Sequence, residues 1–175
     1  KEMLKKLELS DKALKDLSIY CKTRKILFLS SVFDHTDVDF QFRLQKKIIK
    51  IPSGEINNFQ LLKKIAKKNT FTLLSTGMAT LKEVQKSFKF LTKYGLNKKK
   101  LFLMQCTSNY PTNEEDLNLN VLKTFKKKIT PNIAFSDHSL GYDAAVISTA
   151  IGAKFIEKHF TLSRNLKGPD HKASL

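Results

Sequence analysis

Two histidines near the C-terminus follow short apolar runs that are typical of buried strands. His138 lies just beyond the run Asn132 to Phe135, and His159 lies just beyond Lys154 to Ile156. If these runs are neighbouring strands of a parallel sheet, both imidazoles reach one space at its carboxyl edge. Two nitrogen ligands with open positions for water or substrate oxygens suit Mn²⁺, Zn²⁺ or Fe²⁺. The pair therefore indicates a catalytic metal site, and the alternative is that each histidine is only a polar loop residue.

A lysine inside an apolar run indicates a second kind of chemistry. Lys50 lies within Ile48 to Ile51, so a register that turns its isoleucine neighbours outward turns Lys50 toward the interior of a barrel. An isolated buried ammonium is too costly to keep charged, so it needs an anionic partner. Glu55 is one candidate for that partner, and a substrate carboxylate or phosphate is the other.

Hydroxyl groups follow two neighbouring strand-like runs. Ser53-Gly54 comes after the run that holds Lys50, and Ser75-Thr76-Gly77 ends the run that begins at Phe71. Hydroxyls and backbone amides near helix N-termini bind anions, although Ser and Thr before a helix are most often plain N-caps. Together with Lys50, these groups predict a site for a small anionic substrate.

The elements that would position these side chains alternate along the chain. Short β-branched or aromatic runs precede longer amphipathic stretches, and this pattern predicts about six βα units. The predicted strands are Ile26 to Ser30, Lys47 to Ile51, Phe71 to Ser75, Leu101 to Gln105, Asn132 to Phe135 and Lys154 to Ile156. The predicted helices begin at about Asp11, Asp37, Asn58, Thr80, Leu117 and Ser139. Strict alternation indicates an α/β fold with a parallel sheet that is covered on its faces.

Such a sheet can remain open and doubly wound, or it can close into an eight-stranded barrel. Polar groups follow nearly every predicted strand, and their convergence on one mouth favours the barrel. A complete (β/α)₈ barrel takes roughly 250 residues, whereas this chain has 175. We therefore expect residues 1–175 to be a single barrel domain that is truncated at both ends. No Gly-x-Gly-x-x-Gly or Walker-type loop is present, so a dinucleotide or P-loop site has no support.

The net charge of +16 at pH 7 raises the question of a nucleic-acid partner. Nearly all of the excess is lysine in scattered short runs, and arginine is confined to Arg24, Arg43 and Arg164. Nucleic-acid sites usually add arginine forks and aromatic platforms. We interpret the lysines as a solvated surface and expect no nucleic-acid partner.

The cysteines and the hydropathy bear on location. Cys21 and Cys106 show no disulfide or zinc-ribbon spacing, which fits a reducing compartment. No apolar run approaches membrane-spanning length, and no signal peptide is visible, although a truncated start would hide one. We expect a cytoplasmic location and no membrane partner.

Five ordered motifs resemble the sialic acid synthase family. They are Lys50 to Asn58, Leu74 to Thr80, Cys106 to Pro111, Phe135 to Gly141, and Glu157 to Leu175. They occur in that family's order and at its spacing, and the match covers essentially the whole chain. The resemblance implies a partial TIM (β/α)₈ barrel, with the family's first two strands and its C-terminal antifreeze-like domain missing.

The resemblance also implies an enzyme, a metal-dependent transferase that uses phosphoenolpyruvate. The family condenses phosphoenolpyruvate with an N-acylated amino sugar, typically N-acetylmannosamine or its 6-phosphate, to give a nine-carbon 2-keto sugar acid and phosphate. The alternative within this resemblance is that the chain is a legionaminic or pseudaminic acid synthase, which runs the same reaction on a diacetamido sugar. Members need a divalent metal, commonly Mn²⁺ or Mg²⁺, and the full-length parent of this chain is expected to be a homodimer.

Specific residues receive roles by their positions in these motifs. The implied metal ligands are His138 and His159. The implied phosphoenolpyruvate-binding residues are Lys50, Ser53, Ser75 and Ser136. Tyr110 would contact substrate in the site, and Asp170 would hydrogen-bond the sugar. The residues implied to be catalytic are Lys50, Tyr110, His138 and His159.

Several alternatives remain open. The chain could belong to a related phosphoenolpyruvate-dependent keto-acid synthase or to another metal-assisted aldolase. From a different class, it could be a non-catalytic binding module or a basic nucleic-acid protein. We also expect the isolated 175-residue chain to be inactive and marginally folded, because an open barrel exposes sheet edges.

Overall fold

A computed structural model describes residues 7–175 and places one parallel sheet at their centre. Its five strands, in the order β1-β2-β3-β4-β5, are β1 (Ile48–Ile51), β2 (Phe71–Ser75), β3 (Leu101–Gln105), β4 (Ile133–Asp137) and β5 (Ile156–Lys158). The helices are α1 (Asp11–Thr23), α2 (His35–Leu44), α3 (Phe59–Lys68), α4 (Leu81–Lys93), α5 (Asn120–Lys128) and α6 (Asp143–Ile151). Within residues 7–175, no helix has the length and apolar character needed to cross a membrane.

Local sequence determines where α3 and α4 begin. The side chain of Asn58 accepts a hydrogen bond from Leu61 N at the start of α3. Thr80 and Glu83 form a capping box at the start of α4, in which each side chain binds the backbone of the other residue. The helix starts predicted at Asn58 and Thr80 are confirmed, because each of these residues is an N-cap.

Alternation along the strands divides the apolar core into two layers. Ile49 and Ile51 of β1 are fully buried on the side of the sheet that packs against the helices. The opposite side carries a smaller interior cluster whose buried members are Ile48, Leu73, Phe102, Met104 and Ala134. Phe155, just before β5, packs its ring edge-on against Phe102 at a centroid distance of 4.8 Å. Lys50 alternates with the two outward isoleucines and therefore points to the interior side, as predicted.

The sheet is curled. In a flat sheet, four inter-strand spacings of about 4.8 Å would separate the first and last strands by roughly 19 Å. Lys50 on β1 nevertheless forms an ion pair with Glu157 on β5. The strands therefore bend around a common interior, and the predicted α/β partial TIM barrel is confirmed as a curled half-barrel.

One predicted strand is wrong. Ile26 to Ser30 does not form a strand, although the next residue, Ser31, makes a single parallel bridge with Lys50 of β1. The segment borders β1 at the edge of the described sheet, and Ile26 is 64% exposed. Because it makes one bridge and its start is exposed to solvent, the segment does not form a continuous ladder. The described residues therefore contain five strands, whereas about six βα units were predicted.

The boundaries near the C-terminus lie further along the chain than predicted. β4 extends to Asp137, and β5 begins at Ile156 and ends at Lys158. Helices expected from Leu117 and Ser139 begin later, as the bounds of α5 and α6 show. Polar residues assigned to loops from the sequence therefore belong to the ends of two paired strands.

Candidate active site

Side chains from all five strand ends meet in one cavity at the carboxyl edge of the sheet. Its volume is about 520 Å³. The predicted site residues that border it are Lys50, Ser53, Ser75, Tyr110, Ser136, His138 and His159. Parallel strands present their carboxyl ends at a single edge, which explains why residues so far apart in the chain converge. Asp170 is not on the wall of this cavity, but its carboxylate is close enough to raise the pKa of Tyr110, an effect smaller than those of burial and Cys106.

Lys50 is paired with a carboxylate inside this cavity. Its Nζ donates a hydrogen bond to Glu157 Oε1 at 2.5 Å, and Ser136 Oγ donates to the same oxygen at 2.7 Å. Burial raises the pKa of Glu157, but the Lys50 charge and these two hydrogen bonds outweigh it and hold the pKa below its usual value. Glu157 is therefore an anion that neutralises Lys50.

The sequence-based candidate for this partner is wrong. Glu55 accepts a hydrogen bond from Asn58 Nδ2 at 2.8 Å, which serves the start of α3. Sequence reasoning missed Glu157 as a site residue. Its position two residues before His159 could have identified it, because alternate residues of a strand share one face.

Ser53 and Ser75 are not N-caps of α3 and α4, since those caps are Asn58 and Thr80. Ser53 Oγ accepts a hydrogen bond from Gly77 N at 2.9 Å, which ties the ends of β1 and β2 together. Ser75 Oγ lies 3.6 Å from Met104 Sδ, a weak acceptor. Ser53 Oγ also lies 3.2 Å from Cys106 Sγ, and because sulfur is a weak hydrogen-bond partner, both hydroxyls remain suitable for an anion in the cavity.

The imidazole of His138 is fixed by a backbone carbonyl. Its Nδ1 lies 2.7 Å from Thr107 O, and its Nε2 lies 3.1 Å from Ser136 Oγ. A carbonyl oxygen can only accept, so Nδ1 carries the proton and Nε2 keeps its lone pair. Burial is the largest influence on this ring and lowers the pKa of His138, so the neutral form predominates near pH 7.

The two predicted metal ligands lie side by side. The ring centroids of His138 and His159 are 5.5 Å apart, and both rings border the cavity. A neutral imidazole whose other nitrogen donates to a carbonyl is the usual state of a metal-binding histidine, so His138 fits a divalent metal, and the ring of His159 lies beside it. Within the described residues, no group of three His, Cys, Asp or Glu side chains is arranged to hold a metal.

Comparisons with known proteins identify the family of this chain. The NeuB family matches residues 1–175. N,N′-diacetyllegionaminic acid synthase of Campylobacter jejuni is 45% identical over 174 residues, which are 99% of this chain and 52% of that protein. N-acetylneuraminate-9-phosphate synthase of Drosophila melanogaster is 36% identical over 171 residues, which are 97% of this chain and 45% of that protein. The chain spans about half the length of the curated relatives it matches.

A solved structure shows the same fold. The crystal structure of N-acetylneuraminic acid synthetase from Leptospira borgpetersenii, in complex with citrate, superposes with a TM-score of 0.91 at 33% identity. The match covers 99% of this chain and 60% of that one. With a family match over all of its residues and named synthases among its relatives, the chain belongs to the NeuB family.

Proposed function

We propose that this chain forms part of the catalytic barrel of a sialic acid synthase. The reaction condenses phosphoenolpyruvate with an N-acyl amino sugar and yields a nine-carbon 2-keto sugar acid plus phosphate. The observation that carries the proposal is the single cavity in which Lys50, two serine hydroxyls of neighbouring strands and a pair of histidines meet. Membership of the NeuB family, whose named relatives are sugar-acid synthases, supports the reaction class.

The anion-binding half of the cavity suits phosphoenolpyruvate, which carries a phosphate and a carboxylate. Lys50 supplies a point charge for phosphate oxygens, and hydroxyls come from Ser53, Ser75 and Ser136. Glu157 holds Lys50 in place until the substrate arrives, since their ion pair keeps the ammonium inside the cavity. In the proposed complex, the anionic oxygens of phosphoenolpyruvate replace part of the contact between Lys50 and Glu157.

The two histidines would hold a divalent metal, and Mn²⁺ suits imidazole nitrogen better than Mg²⁺, which prefers oxygen ligands. His138 offers Nε2, because its Nδ1 is engaged by Thr107 O. A metal bound there supplies Lewis-acid polarisation of the aldehyde of the open-chain sugar.

The side chains of this chain then position and stabilise the reacting groups. Lys50 and the serine hydroxyls orient phosphoenolpyruvate so that its enol carbon faces the aldehyde carbon. As the new carbon–carbon bond forms, positive charge develops at the carbon that carries the phosphate ester, and water adds there. Lys50 stabilises the phosphate that leaves when the tetrahedral adduct collapses. Tyr110 contacts the substrate from the wall of the cavity, and Asp170 binds the sugar.

A second candidate is N,N′-diacetyllegionaminic acid synthase, which uses the same chemistry on a diacetamido sugar. The relative that carries this name is 45% identical, whereas the N-acetylneuraminate-9-phosphate synthase is 36% identical. Both candidates use the same residues around the anion and the metal. They differ in the sugar, so one assay separates them.

The test is Mn²⁺-dependent release of phosphate from phosphoenolpyruvate by the complete product of the gene. The acceptors are N-acetylmannosamine, its 6-phosphate and diacetamido sugars. We expect release with one sugar, and loss of release in His138→Ala and His159→Ala. The control is His35→Ala, because His35 is an exposed residue at the start of α2. If folded, Mn²⁺-loaded protein releases no phosphate with any acceptor, the proposal is wrong.

A further inference from the structure

A buried ion pair lies directly behind the two histidines. Lys158 Nζ is 3.0 Å from Asp137 Oδ2, and their side chains are 8% and 0% exposed. Asp137 immediately precedes His138, and Lys158 immediately precedes His159. The two residues are also directly opposite each other in the last pair of the β4–β5 ladder. The pair therefore joins the strand ends that carry both candidate metal ligands.

Strand alternation places this ion pair on the opposite side of the sheet from the cavity chemistry. Ser136 and Glu157 are opposite each other one position earlier, and their hydrogen bond lies in the cavity. The next residues must point the other way, toward the layer where Phe135 packs near Ala144 of α6. Lys158 also borders the cavity, but its ammonium is directed at Asp137 and at Ser139 O.

Ser139 connects both members of the pair to the chain just after His138. Asp137 Oδ1 accepts hydrogen bonds from Ser139 N at 2.9 Å and from Ser139 Oγ at 2.6 Å. Lys158 Nζ donates to Ser139 O at 2.7 Å. The contact between Nζ and Asp137 Oδ2 lacks hydrogen-bond geometry and acts through charge. Lys158 therefore contacts both chain neighbours of His138, which are Asp137 and Ser139.

The register between β4 and β5 has few other determinants within residues 7–175. β5 has three residues, and its ladder with β4 consists of three residue pairs. A slip of one residue would exchange the two faces of β5. Lys158 would then enter the cavity, His159 would leave it, and Asp137 would remain buried without its cation.

We propose that the Asp137–Lys158 ion pair is a positioning device that sets the register of β5 on β4, and thereby places His138 and His159 at metal-binding distance. The inference rests on the proposed function, in which these histidines hold the metal. A buried ion pair contributes little net stability when compared with well-packed apolar residues, and specification of register is its best-attested use. The pair is therefore expected to control metal affinity more than folding.

The test uses a double variant of the complete protein, Asp137→Asn with Lys158→Met. Both charges are removed together, so neither partner is left buried and uncompensated. We expect a cooperative thermal transition, together with a dissociation constant for Mn²⁺ that rises by about tenfold or more, as for other residues that orient metal ligands. Mn²⁺ binding is measured by titration with electron paramagnetic resonance. The KM for phosphoenolpyruvate should change less than the Mn²⁺ affinity, because Lys50, Ser53 and Ser75 lie outside β4 and β5.

Two further variants make the result specific. Lys158→Arg keeps the cation and should retain Mn²⁺ affinity close to that of the wild type. The double variant Asp39→Asn with Lys64→Met removes a more exposed ion pair of 2.6 Å and should leave Mn²⁺ affinity unchanged. The inference is wrong if wild-type protein binds no Mn²⁺, or if the folded Asp137–Lys158 double variant binds it as tightly as wild type. If Mn²⁺ affinity falls as expected but no sugar supports phosphate release, the proposed function fails and the positioning role stands.

Discussion

The ring of Tyr110 packs on His138 with a centroid distance of 4.1 Å and also meets the ring of His159 edge-on at 5.5 Å. One aromatic side chain therefore contacts both candidate metal ligands. Burial, more than the nearby Cys106 and carboxylates, raises the pKa of the Tyr110 hydroxyl, which stays protonated near pH 7. The residue can hold the imidazoles with its ring while its hydroxyl donates a hydrogen bond to substrate.

Replacing this ring should weaken metal binding. Aromatic pairs contribute about 0.5–1.5 kcal/mol beyond their buried area, so Tyr110→Ala should raise the dissociation constant for Mn²⁺ roughly 2- to 10-fold. Tyr110→Phe keeps the ring and should leave Mn²⁺ affinity unchanged while raising the KM for the sugar. Mn²⁺ titration and steady-state kinetics measure the two effects. Unchanged Mn²⁺ affinity in Tyr110→Ala would show that the ring does not position the histidines.

Loss of the cavity ammonium should weaken phosphoenolpyruvate binding. A hydrogen bond to a charged group contributes about 1.5–3 kcal/mol, so Lys50→Met should raise the dissociation constant for phosphoenolpyruvate roughly 10- to 150-fold. Isothermal titration with phosphoenolpyruvate measures this change. The matched control is Lys47→Met, because Lys47 is exposed just before β1. Equal affinities of Lys50→Met and wild type would contradict the anion-binding role.

A side chain at Gly77 would displace two serine hydroxyls. A Cβ atom there would lie 2.6 Å from Ser108 Oγ and 2.9 Å from Ser53 Oγ, whereas a Cβ at Gly54 would have no atom within 4 Å. Gly77→Ala should therefore weaken phosphoenolpyruvate binding by turning Ser53 away, and should lower the free energy of unfolding by about 1 kcal/mol. Gly54→Ala should change the free energy of unfolding by less than about 0.5 kcal/mol. Denaturant unfolding compares them, and equal losses would refute the steric argument.

The capping box of α4 should make stability depend on pH. Hydrogen bonds from Thr80 N, Thr80 Oγ1 and Asn57 Nδ2 lower the pKa of Glu83. Because its folded pKa lies below the unfolded one, its charge stabilises the fold above the unfolded value, and this contribution is lost as the pH falls through the folded value. Glu83→Gln should therefore have a lower melting temperature than wild type at pH 7, and the difference should be smaller when measured at about pH 3. A difference that does not change between these two pH values would contradict this assignment.

Much of the site could be predicted from local sequence. Lys50 was expected to face the interior because alternation in a strand turns it opposite to Ile49 and Ile51, and the structure agrees. The strand ends at Ser136–Asp137 and Glu157–Lys158 were harder to place, since Asp, Glu and Lys are depleted in strands. They belong to strands here because β4 pairs with β5 and because the Asp137–Lys158 ion pair is buried.

The sequence by itself determined the alternation of strands and helices, and with it the edge at which the polar residues gather. Those properties follow from periodicity and caps over a few residues. Only the tertiary structure decided which charges pair. Lys50 and Glu157 are 107 positions apart, and they meet because the sheet curls, which local periodicity does not encode. Glu55 stays near the start of α3 through a local hydrogen bond from Asn58, whereas the curl puts Glu157 in the cavity with the two histidines.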